Sequence, residues 1–141
     1  MAKKNYLVDL SKIDFDNPIA EVDEIRDFNP QRHEMEQLSA IVHEDVERKE
    51  CVGYLDVTDH EFWVRGHMPE LPLMPGVMML EALHQAAVWL VRAEDDFKTP
   101  LVLLRETRSV KFGDFLAPGE TLQVRNSSHE EASVAQEHVV L

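Results

Sequence analysis

One stretch of this chain is apolar on nearly every side of a helix, and the segments around it alternate instead. Over residues 76–91, Val77, Met78, Met79, Leu80, Ala82, Leu83, Ala86, Ala87, Val88, Trp89, Leu90 and Val91 leave almost no polar face. Such a pattern predicts a helix buried all round. Pro75 and Gly76 open it, since proline suits a first turn, and the polar run over 92–98 ends it. Its polar residues Glu81, His84 and Gln85 stand at i, i+3 and i+4 and share one stripe. A carboxylate in that setting demands a reason, because burying an unpaired charge is expensive.

Residues 1–18 read as an irregular lead-in ending at Asn17-Pro18. Residues 19–28 read as a short helix with Ile19, Val22, Ile25 and Phe28 on one side, broken by Asn29-Pro30. Two antiparallel strands are predicted over 38–46 and 51–57, joined by a turn around 48–50, with Val52, Tyr54 or Leu55, and Val57 giving the second its strand character. Thr58 or Asp59 caps a helical turn containing Glu61, Phe62 and Trp63. Beyond the central helix, a strand is expected from 101–104 on to Phe112, then a turn over 114–119 at Pro118-Gly119, then strands over 121–125 and 133–141. One apolar helix with about five antiparallel strands gives an α+β fold, a sheet wrapped around the helix rather than βαβ alternation.

The chain has 141 residues, 44% apolar and 29% charged, which suits one soluble globular domain with a proper core. Its formal net charge of −13 argues against nucleic acid and anionic membranes as partners. The charge is uneven. Residues 1–50 hold seven basic and thirteen acidic groups, whereas 101–126 hold Arg105, Arg108, Lys111 and Arg125 against Glu106, Asp114 and Glu120. An acidic partner is expected to dock on that second stretch. The single cysteine, Cys51, excludes an internal disulfide and fits a reducing compartment. Two lysines near the N-terminus precede no apolar run, so no secretory signal is expected. Residues 76–91 are too short for a membrane span and carry Glu81, His84 and Gln85. The expectation is a cytoplasmic protein.

Candidate chemistry concentrates between Gly66 and Gln85. His67 lies in a loop rich in glycine and proline, and an imidazole is the side chain suited to act as a base near neutral pH. Glu81, the carboxyl group on the apolar helix, is the candidate acid. Gly76 offers a bare backbone N–H at a helix N-terminus, where donors are unsatisfied and the dipole is positive. The segments Gly66-His67-Met68-Pro69, Pro72-Leu73-Met74-Pro75-Gly76-Val77 and Leu80-Glu81-Ala82-Leu83-His84-Gln85 together resemble the signature of FabZ-type (3R)-hydroxyacyl-carrier-protein dehydratases, hotdog-fold enzymes of fatty acid synthesis. Phe112 through Pro118-Gly119-Glu120 resembles the strand and turn that follow the helix in that family, and Asn29-Pro30-Gln31-Arg32 is a degraded form of its Pro-His-Arg. The likeness is clear over about residues 60–122. The chain departs from the pattern at Met68 and Glu70, where the family has Phe and Gly, and at His84, where it has a small residue. Only about twenty residues follow Thr121, where the family has two more strands.

The resemblance implies a hotdog fold, with the antiparallel sheet around the central helix. It implies dehydration of a (3R)-3-hydroxyacyl thioester, carried on acyl carrier protein, to a trans-2-enoyl thioester, with no cofactor and no metal. It implies a homodimer, with a trimer of dimers as a further assembly, in which His67 takes the α-proton, Glu81 serves the β-hydroxyl, and the two come from different protomers. Gly76, Val77 and Gln85 are the candidates for oxyanion and substrate binding. Arg105, Arg108 and Lys111 are the candidates for docking the carrier protein, although a regular strand would point Arg108 away from the other two. The related dehydratase/isomerase type has Asp where this chain has Glu81, which favours plain dehydration. A hotdog thioesterase and a non-catalytic acyl-binding hotdog subunit are the other readings, and intact His67 and Glu81 argue against the subunit. Glu81 and His84 also match the Glu-x-x-His spacing of di-iron bundles, but the second pair and two further glutamates that such a centre needs are not visible. Met74, Met78 and Met79 read as core or as a compliant wall for an acyl chain.

Overall fold

The computed structural model of the chain describes residues 9–98, 100–108, 110–128, 134–135 and 139–140. In chain order its elements are strand β1 (Ala20–Glu21), helix α1 (Val22–Phe28), strands β2 (Ala40–Asp45) and β3 (Glu50–Asp56), helix α2 (Gly76–Glu94), and strands β4 (Thr121–Ser128), β5 (Val134–Ala135) and β6 (Val139–Val140). The strands form one antiparallel sheet in the order β1-β2-β3-β4-β5, with β6 also pairing β4. The alternating runs over 38–57 pair as the sequence predicts, with Lys49 at positive φ in the tight turn between β2 and β3. The sheet packed against the long helix is the α+β hotdog arrangement.

The two faces of the sheet are covered differently. On one, Ile41, Cys51, Leu55, Leu122 and Val124 meet Met79, Ala82, Leu83, Ala86, Trp89 and Leu90 of α2 in a single apolar core. Burying one such leucine contributes about 1.5–3 kcal/mol, so this contact holds the helix in place. Cys51 belongs to that core, and burial pushes its thiol far above the ordinary range, which makes it inert. On the other face, Ala40, Val42 and Val52 lie beneath Leu10, Ile13, Phe15 and Tyr54. The lead-in is therefore a cover for the back of the sheet, with Asp9 capping a short 3-10 turn over Leu10–Lys12. Residues 1–8 lie outside the described residues.

At the far end of α2, Phe28, Trp89 and Phe97 form an aromatic cluster with ring centroids 4.2–5.6 Å apart. Of the side of α1 expected to be apolar, Ile25 is buried in the main core, whereas Phe28 keeps 37% of its surface exposed. Ile19, expected on the same helix, instead precedes β1 and is exposed, because its neighbours Ala20 and Glu21 pair with β2. Residues 58–66 form hydrogen-bonded turns that Thr58 caps as expected, its hydroxyl accepting from the His60 N–H at 3.3 Å, although they do not wind into a regular helix.

Two expectations are corrected. Among the described residues the run over 101–112 forms no strand. Among the described residues β4 is flanked by β3 on one side and by β5 and β6 on the other, so the run does not sit beside β4, and Leu101, Leu103, Leu104, Val110 and Phe112 stay exposed. Nor is α2 buried all round. Its N-terminal half leaves open a stripe in which Val77 is 69% exposed and Leu80, Glu81 and His84 are half-buried. The strand expected over 133–141 appears as the two short strands β5 and β6, and Ser133, 136–138 and Leu141 lie outside the described residues.

Gly53 marks the tightest backbone approach in the sheet. A Cβ there would lie 2.9 Å from the Ala40 carbonyl oxygen and 3.2 Å from Ile41 Cδ1. Because backbone cannot yield cheaply, Gly53→Ala is expected to destabilise the fold by about 1–3 kcal/mol, the usual cost of overpacking. Urea unfolding checks this, and an unchanged midpoint contradicts it.

Candidate active site

His67 is held by reciprocal hydrogen bonds in a loop anchored to the core. Trp63 is buried, and its carbonyl accepts from the Gly66 and His67 N–H groups at 3.1 and 2.8 Å. Met68 and Leu71 exchange hydrogen bonds at 2.9 and 3.0 Å across a turn in which Glu70 takes positive φ. The Leu73 N–H donates to the His67 carbonyl at 2.9 Å, and Met74 N–H donates to the Leu116 carbonyl at 2.8 Å. The peptide bond between His67 and Met68 is cis.

The imidazole itself is exposed, with Nδ1 2.8 Å from the Leu73 carbonyl oxygen. A carbonyl oxygen only accepts, so Nδ1 carries the hydrogen of the neutral ring. The lone pair is thereby left on Nε2, which is the tautomer a base needs.

The start of α2 supplies open donors. Pro75 stands at its N-cap with no side-chain cap, and its carbonyl accepts from the Met78 and Met79 N–H groups at 2.9 and 3.2 Å. The N–H groups of Gly76 and Val77 precede the first helical bond and have no partner in the helix. The Phe112 ring lies over Gly76, so a Cβ there would sit 3.0 Å from three of its carbons. Glycine is what lets that ring and the helix start come so close.

Glu81 and Gln85 are brought together. Gln85 Nε2 donates to Glu81 Oε1 at 2.9 Å and to the Met35 carbonyl at 2.6 Å, and its Oε1 accepts from the Gln37 N–H at 2.9 Å. Gln85 is 2% exposed and every polar group of its amide is engaged, so it supports Glu81 from behind. Asn29, also buried, donates through Nδ2 to the Gln85 carbonyl at 3.0 Å. Arg32 grips the carbonyls of Arg26, Asn29 and Gln31 at 2.7–2.8 Å. The degraded motif at 29–32 thus still fastens the end of α1 under the helix that carries Glu81. The roles of Met35 and Gln37 are played by backbone groups, and side-chain identities give no signal for them.

No hydrogen bond or ion pair joins His67 to Glu81 among the described residues. Arg105, Arg108 and Lys111 are all exposed, and Arg108 Nε pairs with Glu106 at 2.7 Å. With no strand over this segment, alternation does not assign them to faces. Among the described residues no group of three or more His, Cys, Asp or Glu is placed to hold a metal ion, and no helix is long and apolar enough to cross a membrane.

The long helix packs on an antiparallel sheet in the hotdog arrangement, with a loop histidine before it and a carboxyl on its open stripe, and a FabA-like family model matches residues 29–139, so the chain belongs to that family. It is similar to two clostridial proteins, each named 3-hydroxyacyl-acyl-carrier-protein dehydratase FabZ. The one from Clostridium kluyveri is 37% identical over 76 residues, covering 54% of this chain and 53% of that protein. The one from Clostridium botulinum is 33% identical over 104 residues, covering 74% of this chain and 72% of that protein. The chain thus spans about half the length of the first relative and nearly three quarters of the second.

Gln85→Leu is expected to leave the Gln37 N–H and the Met35 carbonyl buried without partners. Each orphaned group costs about 1–3 kcal/mol, so a clear fall in unfolding free energy follows. Denaturant titration measures it, and a variant as stable as the parent removes Gln85 from the role of support.

Proposed function

We propose that this protein dehydrates a (3R)-3-hydroxyacyl thioester on acyl carrier protein to the trans-2-enoyl thioester, in fatty acid or related lipid biosynthesis in the cytoplasm. The observation that carries the reading is the His67 ring, with its Nε2 lone pair free, in the same signature as Glu81 on the open stripe of α2. His67 Nε2 takes the α-proton. The thioester oxygen gains charge and accepts from the N–H groups of Gly76 and Val77, each such donor being worth about 3–4 kcal/mol in the transition state. Glu81 gives its proton to the β-hydroxyl, the C–O bond breaks, water leaves, and the Cα–Cβ double bond forms. No cofactor enters any of these steps. Gln85 holds the Glu81 carboxyl.

A homodimer supports this chemistry. The two residues make no contact within the chain, and the apolar segment 101–115 and the open stripe of α2 are uncovered. In a dimer, His67 of one protomer meets Glu81 of its partner, and three such dimers form the further assembly. The carrier protein docks on Arg105, Arg108 and Lys111, the least acidic part of the chain.

Purified protein given a 3-hydroxyacyl thioester should raise enoyl absorbance without releasing thiol. Thiol release instead would mark a thioesterase, and neither signal a non-catalytic subunit. His67→Ala and Glu81→Gln should each lower turnover by at least about a hundredfold, the scale of general acid–base catalysis. Co-assembled hybrids of the two variants should regain activity, since each hybrid pair contains one intact site. Near-normal turnover in either variant sinks the mechanism, and verified hybrids that stay inactive sink the shared site.

Docking makes a separate prediction. Charge reversal at Arg108 or Lys111 should raise KM for the carrier-protein substrate and leave short coenzyme A substrates nearly unaffected. The parent KM should rise with salt, because surface attraction is screened. A salt-independent KM, with reversed variants like the parent, rules this surface out.

A further inference from the structure

Glu81 shares the open stripe of α2 with a second titratable side chain. His84 stands one turn further on, at i+3, where neighbouring side chains on a helix have Cβ atoms about 5–6 Å apart. It is half-buried, and neither ring nitrogen makes a hydrogen bond or ion pair with any described residue. Its size also breaks the resemblance noted above, which expects a small residue there. Burial lowers the imidazole's affinity for a proton, and Glu81 pulls it partly back. Other titratable groups stand on the elements packed around this helix: Glu50, Cys51, Tyr54 and Asp56 of β3, Arg125 of β4, and Arg32, His33, Glu34 and Glu36 in the loop held by Gln85. β6, Val139–Val140, adds none, and among the described residues it is the charge of Glu81 that acts on the ring.

Each turnover of the proposed reaction leaves a proton on His67 and removes one from Glu81. Before the next substrate is dehydrated, the first proton must go to solvent and another must reach Glu81. We infer that His84 performs this return: its imidazole takes a proton from water, then hands a proton to the Glu81 carboxylate, restoring the neutral ring and the carboxyl group. The inference rests on the roles proposed for His67 and Glu81. His84 acts through Glu81 and needs no contact with substrate. A ring that binds its proton weakly passes it on readily, and a ring with no protein partner is free to turn between water and the carboxylate.

The test is a rapid-quench assay of His84→Ala and His84→Gln with a 3-hydroxyacyl thioester. The first turnover uses the proton already on Glu81, whereas later ones need the return. Both variants should form a burst of enoyl product, close to one per site, at the parent's rate. A steady rate lower by at least about tenfold should follow, as for loss of a proton-transfer group. Free imidazole in the buffer should restore His84→Ala more than His84→Gln, since alanine leaves room for it. Parent-like steady rates in both variants overturn the inference. So does a first turnover slowed as much as the later ones without rescue by imidazole, which marks a purely structural residue. If the parent forms no enoyl product, the dehydratase reading falls and the relay falls with it; if it forms product and the variants match it, only the relay falls.

Discussion

The buried amide of Gln85 is the joint on which the site depends. A side-chain amide cut off from water must satisfy all its hydrogen bonds or lose much of what its burial gains. Here the partners come from three places: the Glu81 carboxyl one turn back, the Met35 carbonyl and the Gln37 N–H. Moving any one of these strands the others. The position of Glu81 is therefore coupled to a loop some fifty residues earlier in the chain, and through the carbonyls gripped by Arg32 to the end of α1.

His67 depends on a different device. Its loop has no regular structure, so its order comes from paired backbone hydrogen bonds and from Trp63 in the core. The same Leu73 residue that closes the loop through its N–H fixes the ring tautomer through its carbonyl. A loop can be as well determined as a helix when its few donors and acceptors face one another. The second anchor is the link from Met74 to Leu116, which ties this loop to the turn before β4, where Gly119 adopts positive φ.

Much of this was legible in the residues. Alternation placed β2 and β3 to within two residues, and Pro75-Gly76 marked the start of α2. Pro118-Gly119 marked the turn before β4. Hydrophobic periodicity misled in two places, for a common reason: it reports which side chains avoid water but not what covers them. The run over 101–112 has the composition of a strand but pairs with no strand among the described residues, and α2 has the composition of a fully buried helix but an uncovered stripe. The support beneath Glu81 was illegible for another reason. It is made largely of backbone groups at Met35 and Gln37, which every residue carries.

The division of α2 into two sides has a consequence for how such a protein changes over generations. Met79, Ala82, Leu83, Ala86 and Leu90 hold the fold together on one side, while Val77, Glu81 and His84 lie on the open stripe of the other. Replacements on the outward side disturb little packing, so reactivity and substrate preference are free to drift at small cost to folding. Gln85 is the exception, because it belongs to both sides at once. One helix thus separates the part of the protein that evolution must preserve from the part on which it can experiment.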